Sequence, residues 1–520
     1  MKRLSLICLL LLGFCCPLCT PDAGSVRADE VVADKSVPVE FKAGFAEQDI
    51  TPPEPFPMAG YFHERLSEGT ADPLLARAAV FSDGHTEAAL VICDLIGVWT
   101  DFARVVRQRA SEQTGIPAAA IVVSATHSHT APDYAAVFAA WLAAQNADTA
   151  AAFTGNPTPA ADRLRYMDLL VERTVAAIVE ARKHAAPVSL HSGWAEQQTP
   201  VSFNRRYVQR DGSVKTWVGL DYAGSLRTAG PIDPEMPILA ARTADGRTSG
   251  VLSSFALHLD TVGGTRWSAD YPRYIHDAVR KSLGPETISI FGAGCCGDIN
   301  HVAPRGKERN STEFIGTSLG NTISSGLNQL QPLENPRLQV RSATVHLPLR
   351  PAGQTEVTRS LETLTKVQAG EPVDFYDHVA AWRTMMIDQL RNSPRLVPPA
   401  QAGLARRTIV QLAGSGEALP VEVHTISFGT DFAIVCLPGE VFVELGLAIR
   451  RASPFRTTMV LELCNAIETY YVPTRAAAAG GGYETTNSTI APGGGEMLVE
   501  QSIRLLQSAA GGTAPEHQPH

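Results

Sequence analysis

Six short stretches place groups able to bind a metal or move a proton directly behind an apolar, β-branched run: CDLIG from Cys93, ATHSHTAPD from Ala125, ALHLDT from Ala256, GAGCCGDINH from Gly292, CLPGE from Cys436 and LCNAIETYY from Leu463. Ligands of α/β proteins bind outside the carboxyl ends of strands, which is where these residues would fall. A polar group behind one run is ordinary surface chemistry. Metal-capable or acid-base side chains behind run after run, drawn from distant parts of the chain, point to one shared pocket.

Taken singly, the candidates keep two readings each. His127 and His129 share a face if the strand continues through THSH, and would supply two imidazole ligands or one ligand and a proton carrier; a plain hydrogen-bonded pair is the alternative. His258 follows the apolar SSFAL and reads equally as a core histidine. Glu440, after CLPG, needs water or a cation, or sits at the start of the helix that begins near Val441. Tyr470 and Tyr471 read by default as packing residues with wet hydroxyls. Adjacent Cys295 and Cys296 lack both the C-x-x-C redox spacing and the paired spacing of zinc ribbons, which favours packed thiols.

The elements that must position these groups alternate. The runs AALVICDL, AAIVVSAT, TSGVLSSFAL, TISIFGA, FAIVCLP and TTMVLELC read as strands, and between or beside them FARVVRQRASEQTG, RLRYMDLLVERTVAAIVEARKHA, YPRYIHDAVRKSL and VFVELGLAIRRA carry apolar residues at helical spacing. The fold class this predicts is α/β, a mixed β-sheet core with flanking helices. RLQVRSATVHLPLR (residues 337–350) reads as an alternating strand, followed by a polar helical excursion over 354–392. No repeat of solenoid period is present, and no linker demands a second domain.

With 520 residues, 44% of them hydrophobic and 19% charged, the chain can bury a large core. Its net charge of -9 and the lack of long basic runs exclude a nucleic-acid footprint. Lys2 and Arg3 before LSLICLLLLGF, with small residues up to Ala28, read as a signal peptide over residues 1–28. Export to a periplasmic, secreted or cell-surface location follows, with a lipoprotein anchor at Cys19 as the less favoured variant. Four of the nine cysteines fall in that segment; Cys93, Cys295, Cys296, Cys436 and Cys464 remain, an odd number expected as buried thiols.

In order along the chain, KAGFAEQDITPP, MAGY, ICDLIG, ATHSHTAPD, FNRR, ALH, GCCGDINH, LPGE and YVPT followed by GGYE resemble the neutral (alkaline, non-lysosomal) ceramidases over roughly residues 41 to 505. The resemblance implies an exported zinc amidohydrolase that cleaves the N-acyl amide of ceramide by metal-activated water. It also implies that Zn2+ is held by His127, His258, Glu440 and Tyr471; Tyr470 is the alternative, because the stretch after Asn465 is one residue longer than the family spacing. By the same resemblance Arg205 and Tyr483 share stabilisation of the oxyanion and His129 carries the proton to the leaving nitrogen. Asp94 and Asp298 orient imidazoles or loop backbone, or are plain structural carboxylates.

Two departures qualify the transfer. Where the family motif reads G-D-V-S-P-N, this chain has Gly297-Asp298-Ile299-Asn300-His301. Asn300 cannot be a nucleophile at the family's serine position, but its amide can donate to an oxyanion. His301 reads as a surface histidine. Full-length family members also continue into a C-terminal immunoglobulin-like domain, whereas this chain reads as a single large catalytic domain over 41–508 with a disordered tail at 509–520. A lipid or other small-molecule amide is the expected partner, and peripheral membrane contact stays open; nothing sets an oligomeric state. AAVFAAWLAAQNADTAAAF (residues 135–153) is either an apolar lid or a packed helix. A different small amide substrate, or a secreted non-catalytic scaffold, are the alternatives to ceramide hydrolysis.

Overall fold

Each of the six apolar runs forms a strand, and the six strands are the members of three parallel pairs. The computed structural model describes residues 40–145, 160–392 and 412–511, which form one domain. The expected signal peptide and nearly all of the expected tail lie outside the described residues.

In the first sheet, β1 (Lys42–Asp49), β2 (Leu75–Ser82), β3 (Glu87–Cys93), β4 (Ile121–Ala125) and β5 (Ala186–Pro187) lie in the order β4-β3-β2-β1-β5. The second joins β6 (Ser189–Glu196), β7 (Glu235–Arg242), β8 (Thr248–Phe255), β9 (Ile288–Ala293) and β10 (Gln331–Pro332) as β9-β8-β7-β6-β10. The third runs in chain order through β11 (Leu338–Pro348), β12 (Ala418–Phe428), β13 (Phe432–Cys436) and β14 (Thr457–Leu461). The mixed sheet expected from the sequence is thus three mixed sheets. Each is antiparallel except for one pair at its edge, β3–β4, β8–β9 and β13–β14. Parallel neighbours need a crossover, and helices supply it: α1 (Thr100–Thr114) between β3 and β4, α4 (Pro272–Leu283) between β8 and β9, and α8 (Val443–Ala452) between β13 and β14.

Local chemistry sets the ends of these crossovers. Gly115 takes the left-handed conformation (φ 77°) that closes α1, a geometry other residues adopt at a cost, and Pro272 stands in the first turn of α4, where its missing N–H has no helical partner to lose.

The inner faces of the three sheets share one core, in which Leu90 of β3, Leu252 of β8 and Ile434 of β13 are buried together. Phe81 of β2 meets Phe428 of β12 edge-on at 5.0 Å. Fully burying such a side chain contributes about 1.5–3 kcal/mol, so the sheets hold each other. Outward, α1, α2 (Ala135–Gln145) and α3 (Ala161–Lys183) cover the first sheet, and α4 and α5 (Thr312–Gly326) the second. The third is covered by α7 (Phe375–Asn392), α8 and α9 (Gly494–Ala509), while α6 (Gln354–Gln368) packs against α7. The excursion at 354–392 is therefore a helical hairpin. Phe138 and Trp141 of α2 are buried, which makes its described part a packed helix; residues 146–153 lie outside the described residues. Among the described residues, no helix is long and apolar enough to cross a membrane.

Candidate metal centre

The carboxyl ends of the three parallel pairs converge. His127 follows β4, His258 follows β8 and Glu440 follows β13, and all three are buried. The strand does not continue through THSH: β4 stops at Ala125, and His127 takes a left-handed backbone with φ 81°. Such a conformation costs a non-glycine residue about 1–3 kcal/mol and persists only where the surroundings enforce it. Here the His127 N–H donates to Leu95 O at 2.9 Å, which holds the kink. Leu463, Asn465 and Tyr470 are left-handed as well, so the loop after β14 is bent by the same means.

The kink brings ring nitrogens to a point. His127 Nε2 lies 3.1 Å from His258 Nε2 and 3.4 Å from Glu440 Oε2, and ligand atoms of His127, His129 and His258 all fall within 4.8 Å of one another. His127 Nδ1 is 2.6 Å from Ile96 O. A carbonyl only accepts, so Nδ1 carries the hydrogen and Nε2 presents its lone pair to the cluster. Tyr471, next to the short parallel bridge Glu440–Tyr471, accepts from Arg205 Nη2 at 2.9 Å through its hydroxyl. Burial alone would raise the Glu440 carboxyl; the His127 ring, the Tyr471 hydroxyl and the Arg205 guanidinium bring it below its ordinary value. Burial, with Arg205 nearby, pushes His258 well below the usual histidine value and keeps it neutral.

This donor set fits a divalent cation. Glu440 Oε2 and both ring nitrogens of His129 are buried without a hydrogen-bond partner among the described residues. Two ligands about 2.0–2.1 Å from one tetrahedral ion stand roughly 3.3 Å apart, which the 3.1 and 3.4 Å separations match. Neutral imidazoles with a carboxylate are ligand types of such a site.

The surrounding residues fall where the sequence placed some of them and not others. Arg205 Nε donates to Glu484 Oε1 at 2.7 Å and Nη2 to Gly297 O at 2.9 Å. Tyr483 lines the cavity, its ring 5.6 Å from that of Tyr471. His129 Nδ1 faces Asp260 Oδ1 at 3.8 Å, and burial lowers its pKa to about 4. Asp298 accepts from Val443 N at 2.9 Å and from Asn204 Nδ2 at 2.7 Å, so it orients loop backbone. Asp94 accepts from Leu75 N and Thr126 Oγ1 and meets Arg77 at 3.3 Å, and touches no imidazole in this way. Asn300 sits in the short strand Ile299–Asn300, its side-chain oxygen accepting from Val302 N at 3.2 Å, and is not among the residues lining the cavity. His301, expected at the surface, is buried directly after the strand that pairs with Phe203–Asn204, and burial lowers it to about 4.

The five described cysteines are all free and buried. Cys296 does more than pack: its N–H and Sγ–H both donate to Glu462, whose other contact, from Val441 N at 2.6 Å, ties the Glu440 strand to this loop. Gly297 permits that approach, since a Cβ there would come 2.6 Å from Glu440 O. Sequence reasoning passed over Glu462, Glu484, Asp260 and Arg383. For the three carboxylates the available signal was an acidic residue inside an apolar run or close to an assigned residue, as in VLELC, GGYE and ALHLD; Arg383 carried none.

About 1180 Å³ of cleft, open solvent at its mouth included, leads down to this cluster. One wall is the strand-end residues; the other is α7, with Trp382, Arg383, Met385 and Met386.

Fold and site together define an α/β domain with a buried histidine–carboxylate cluster at convergent strand ends, an architecture suited to metal-assisted hydrolysis. That fold is neutral ceramidase-like. The chain superposes on the crystal structure of neutral ceramidase from Pseudomonas aeruginosa with a TM-score of 0.62, over 92% of this chain and 77% of that chain, at 18% identity. It is likewise similar to a ceramidase complexed with C2, with a TM-score of 0.64 over the same shares of the two chains and 17% identity. No protein-family model and no curated protein sequence matches the chain.

Proposed function

We propose that this chain is an exported, zinc-dependent amide hydrolase that cleaves the N-acyl bond of ceramide or a related N-acyl lipid. The observation that carries the reading is the convergence of His127, His258, Glu440 and Tyr471, from separate sheets and loops, at one point beneath a cleft that His127, Glu440 and Tyr471 line, in a neutral ceramidase-like fold. These four residues would hold zinc, which when bound supplies Lewis acidity and lowers the pKa of water.

The chain's own groups do the rest. Arg205, fixed by Glu484 and Gly297 O, presents a guanidinium beside the Tyr471 hydroxyl, where it and Tyr483 face the charge that develops on the amide oxygen. His129, neutral at physiological pH and backed by Asp260, accepts the proton of the attacking water and hands it to the leaving nitrogen. Apolar residues such as Trp99, Ile467 and Met386 line the cleft and suit an acyl chain. Export rests on Lys2, Arg3 and the following apolar run with small residues before Ala28.

The test is metal content together with a panel of N-acyl amides, with and without long sphingoid chains, and His127→Ala as the blank. Stoichiometric zinc and hydrolysis abolished in the blank are expected. A purified protein without bound zinc sinks the reading, and zinc-loaded protein inactive across the panel favours a non-catalytic scaffold.

A further inference from the structure

A buried guanidinium lines the cleft, that of Arg383, and its surroundings differ from those of Arg205. Arg205 and Arg206 both meet the buried carboxylate of Glu484, at 2.7 and 3.2 Å. Arg383, 4% exposed on α7, has no carboxylate within ion-pair distance among the described residues, although it lines the same cleft as His127 and Glu440. Its guanidinium lies over the Tyr470 ring at 3.4 Å from the centroid. Nε donates to Asn487 Oδ1 at 3.0 Å, Nη2 donates to the same oxygen, and Nη1 meets the Met386 thioether at 2.8 Å.

A guanidinium offers five N–H donors in a planar fork, and the partners here, an amide oxygen, a thioether and the Tyr470 hydroxyl, are neutral, modest acceptors. Burying a cation is costly unless an anion compensates it, and burial does draw this guanidinium below its ordinary value. Glu440 acts on it only from beyond ion-pair distance and is already engaged with His127. The fork therefore has donors and charge to spare, facing a cleft. A carboxylate is the anion whose two oxygens match that geometry.

Resting on the amide-hydrolase reading, we propose that Arg383 receives a carboxylate of the substrate, so that the favoured substrates are N-acyl amino acids, with the acyl chain on the apolar lining and the amino-acid carboxylate on Arg383. The reach is short: Asn487, which holds Arg383, also donates to the Tyr483 hydroxyl at 3.1 Å, and Tyr483 packs on Tyr471. A carboxylate close to the amide nitrogen is the simplest anion to meet both ends of this chain of contacts; ceramide carries no charge to answer the arginine.

The experiment compares N-lauroylglycine with the uncharged N-lauroylethanolamine on the full chain. Hydrolysis is followed with the wild type, Arg383→Gln and Arg383→Lys, and binding by calorimetry in a His127→Ala background so that nothing turns over. The expected result is a kcat/KM preference of roughly tenfold or more for the glycine conjugate, carried by KM. That ratio should collapse in Arg383→Gln and be partly restored in Arg383→Lys. If Arg383 only braces Tyr470 and Asn487, its replacement lowers both substrates by one factor, and the proposal is overturned. Wild-type protein that cleaves the uncharged amide equally well overturns it too, while leaving the amide-hydrolase reading in place. An Arg383-dependent binding preference without hydrolysis of either compound keeps the receptor and removes the hydrolase. Neither binding preference nor hydrolysis removes both. Should the Arg383 variants fail to fold, the preference of the His127→Ala protein for the anion still decides the matter.

Discussion

The two walls of the cleft are built on different principles. On the strand-end side, the polar groups are fixed by backbone and by a buried ion pair: His127 by a left-handed kink and Ile96 O, Glu440 by a strand bridge to Tyr471, and Arg205, behind Tyr471, by Glu484 and Gly297 O. On the helical wall, Trp382, Arg383, Met385 and Met386 occupy little more than one turn of α7, and two of the four are methionines, which adapt their shape to what they contact. The first arrangement suits groups that must hold a metal and a developing charge within tenths of an ångström. The second suits groups that choose a substrate.

The largest effects should come from the strand-end wall. Glu440→Gln keeps the volume but removes the charge, and kcat/KM for whichever amide is cleaved should fall by about 10³-fold or more, together with metal content. Retained activity in a metal-depleted Glu440→Gln protein would break the assignment of this wall to chemistry.

Arg205→Met comes next. Removing one donor to a developing oxyanion costs about 10²–10³-fold in kcat, and Glu484 keeps Arg206, Thr216 and so its burial. The loss should therefore appear in kcat with the thermal transition little moved. A change confined to KM would transfer Arg205 to the recognition side of the comparison. Met386→Ala should behave in the opposite sense, raising KM by roughly tenfold for long acyl chains and by less for short ones, since each lost apolar contact is worth a modest factor. An equal effect on all chain lengths would mean that Met386 shapes the fold and not the site.

The same contrast explains what could be read in advance. The six apolar runs and the polar letters behind them were legible because a strand buried on both faces reads as a continuous apolar stretch, and all three parallel pairs are of that kind. The crossover helices α1, α4 and α8 were legible by their spacing. The antiparallel partners β1, β2, β6, β7 and β12 were not: ALPVEVHTISF alternates half-buried with buried positions over its first half, and LARAAVFS and EMPILAAR, although largely buried, are rich in alanine and interrupted by arginine or proline. His127, His258 and Glu440 drew attention because each stands directly behind such a run, while their choice as a ligand set together with Tyr471 came from the resemblance. Arg383 drew none: in AAWRTMMIDQL it looks like any arginine on an amphipathic helix, and only the packing of α7 over Tyr470 shows it buried. Asn300 attracted attention through its place in GDINH, yet the pairing of Ile299–Asn300 with Phe203–Asn204 directs its oxygen to Val302.

The smallest expected effect concerns how the strand-end wall is held. Asp94 is buried at the end of β3 and bonded to Thr126, the residue before His127; burial, opposed by Arg77, raises its pKa from the ordinary 3.8 to about 6. Between those two values the folded protein keeps the proton that the unfolded chain has released. Stability therefore falls as pH rises through this window and levels off above it, because the folded state binds more protons there. Asp270 and Asp298 are raised to about 6 by burial as well and add to the slope. Asp94→Asn should flatten the decline between about pH 4 and pH 6 by on the order of 2–3 kcal/mol, leaving the share of the other two. Chemical denaturation across that range is the measurement. An unchanged slope would show that Asp94 stays ionised against Arg77, and that this wall is held by an ion pair and not by a protonated carboxyl.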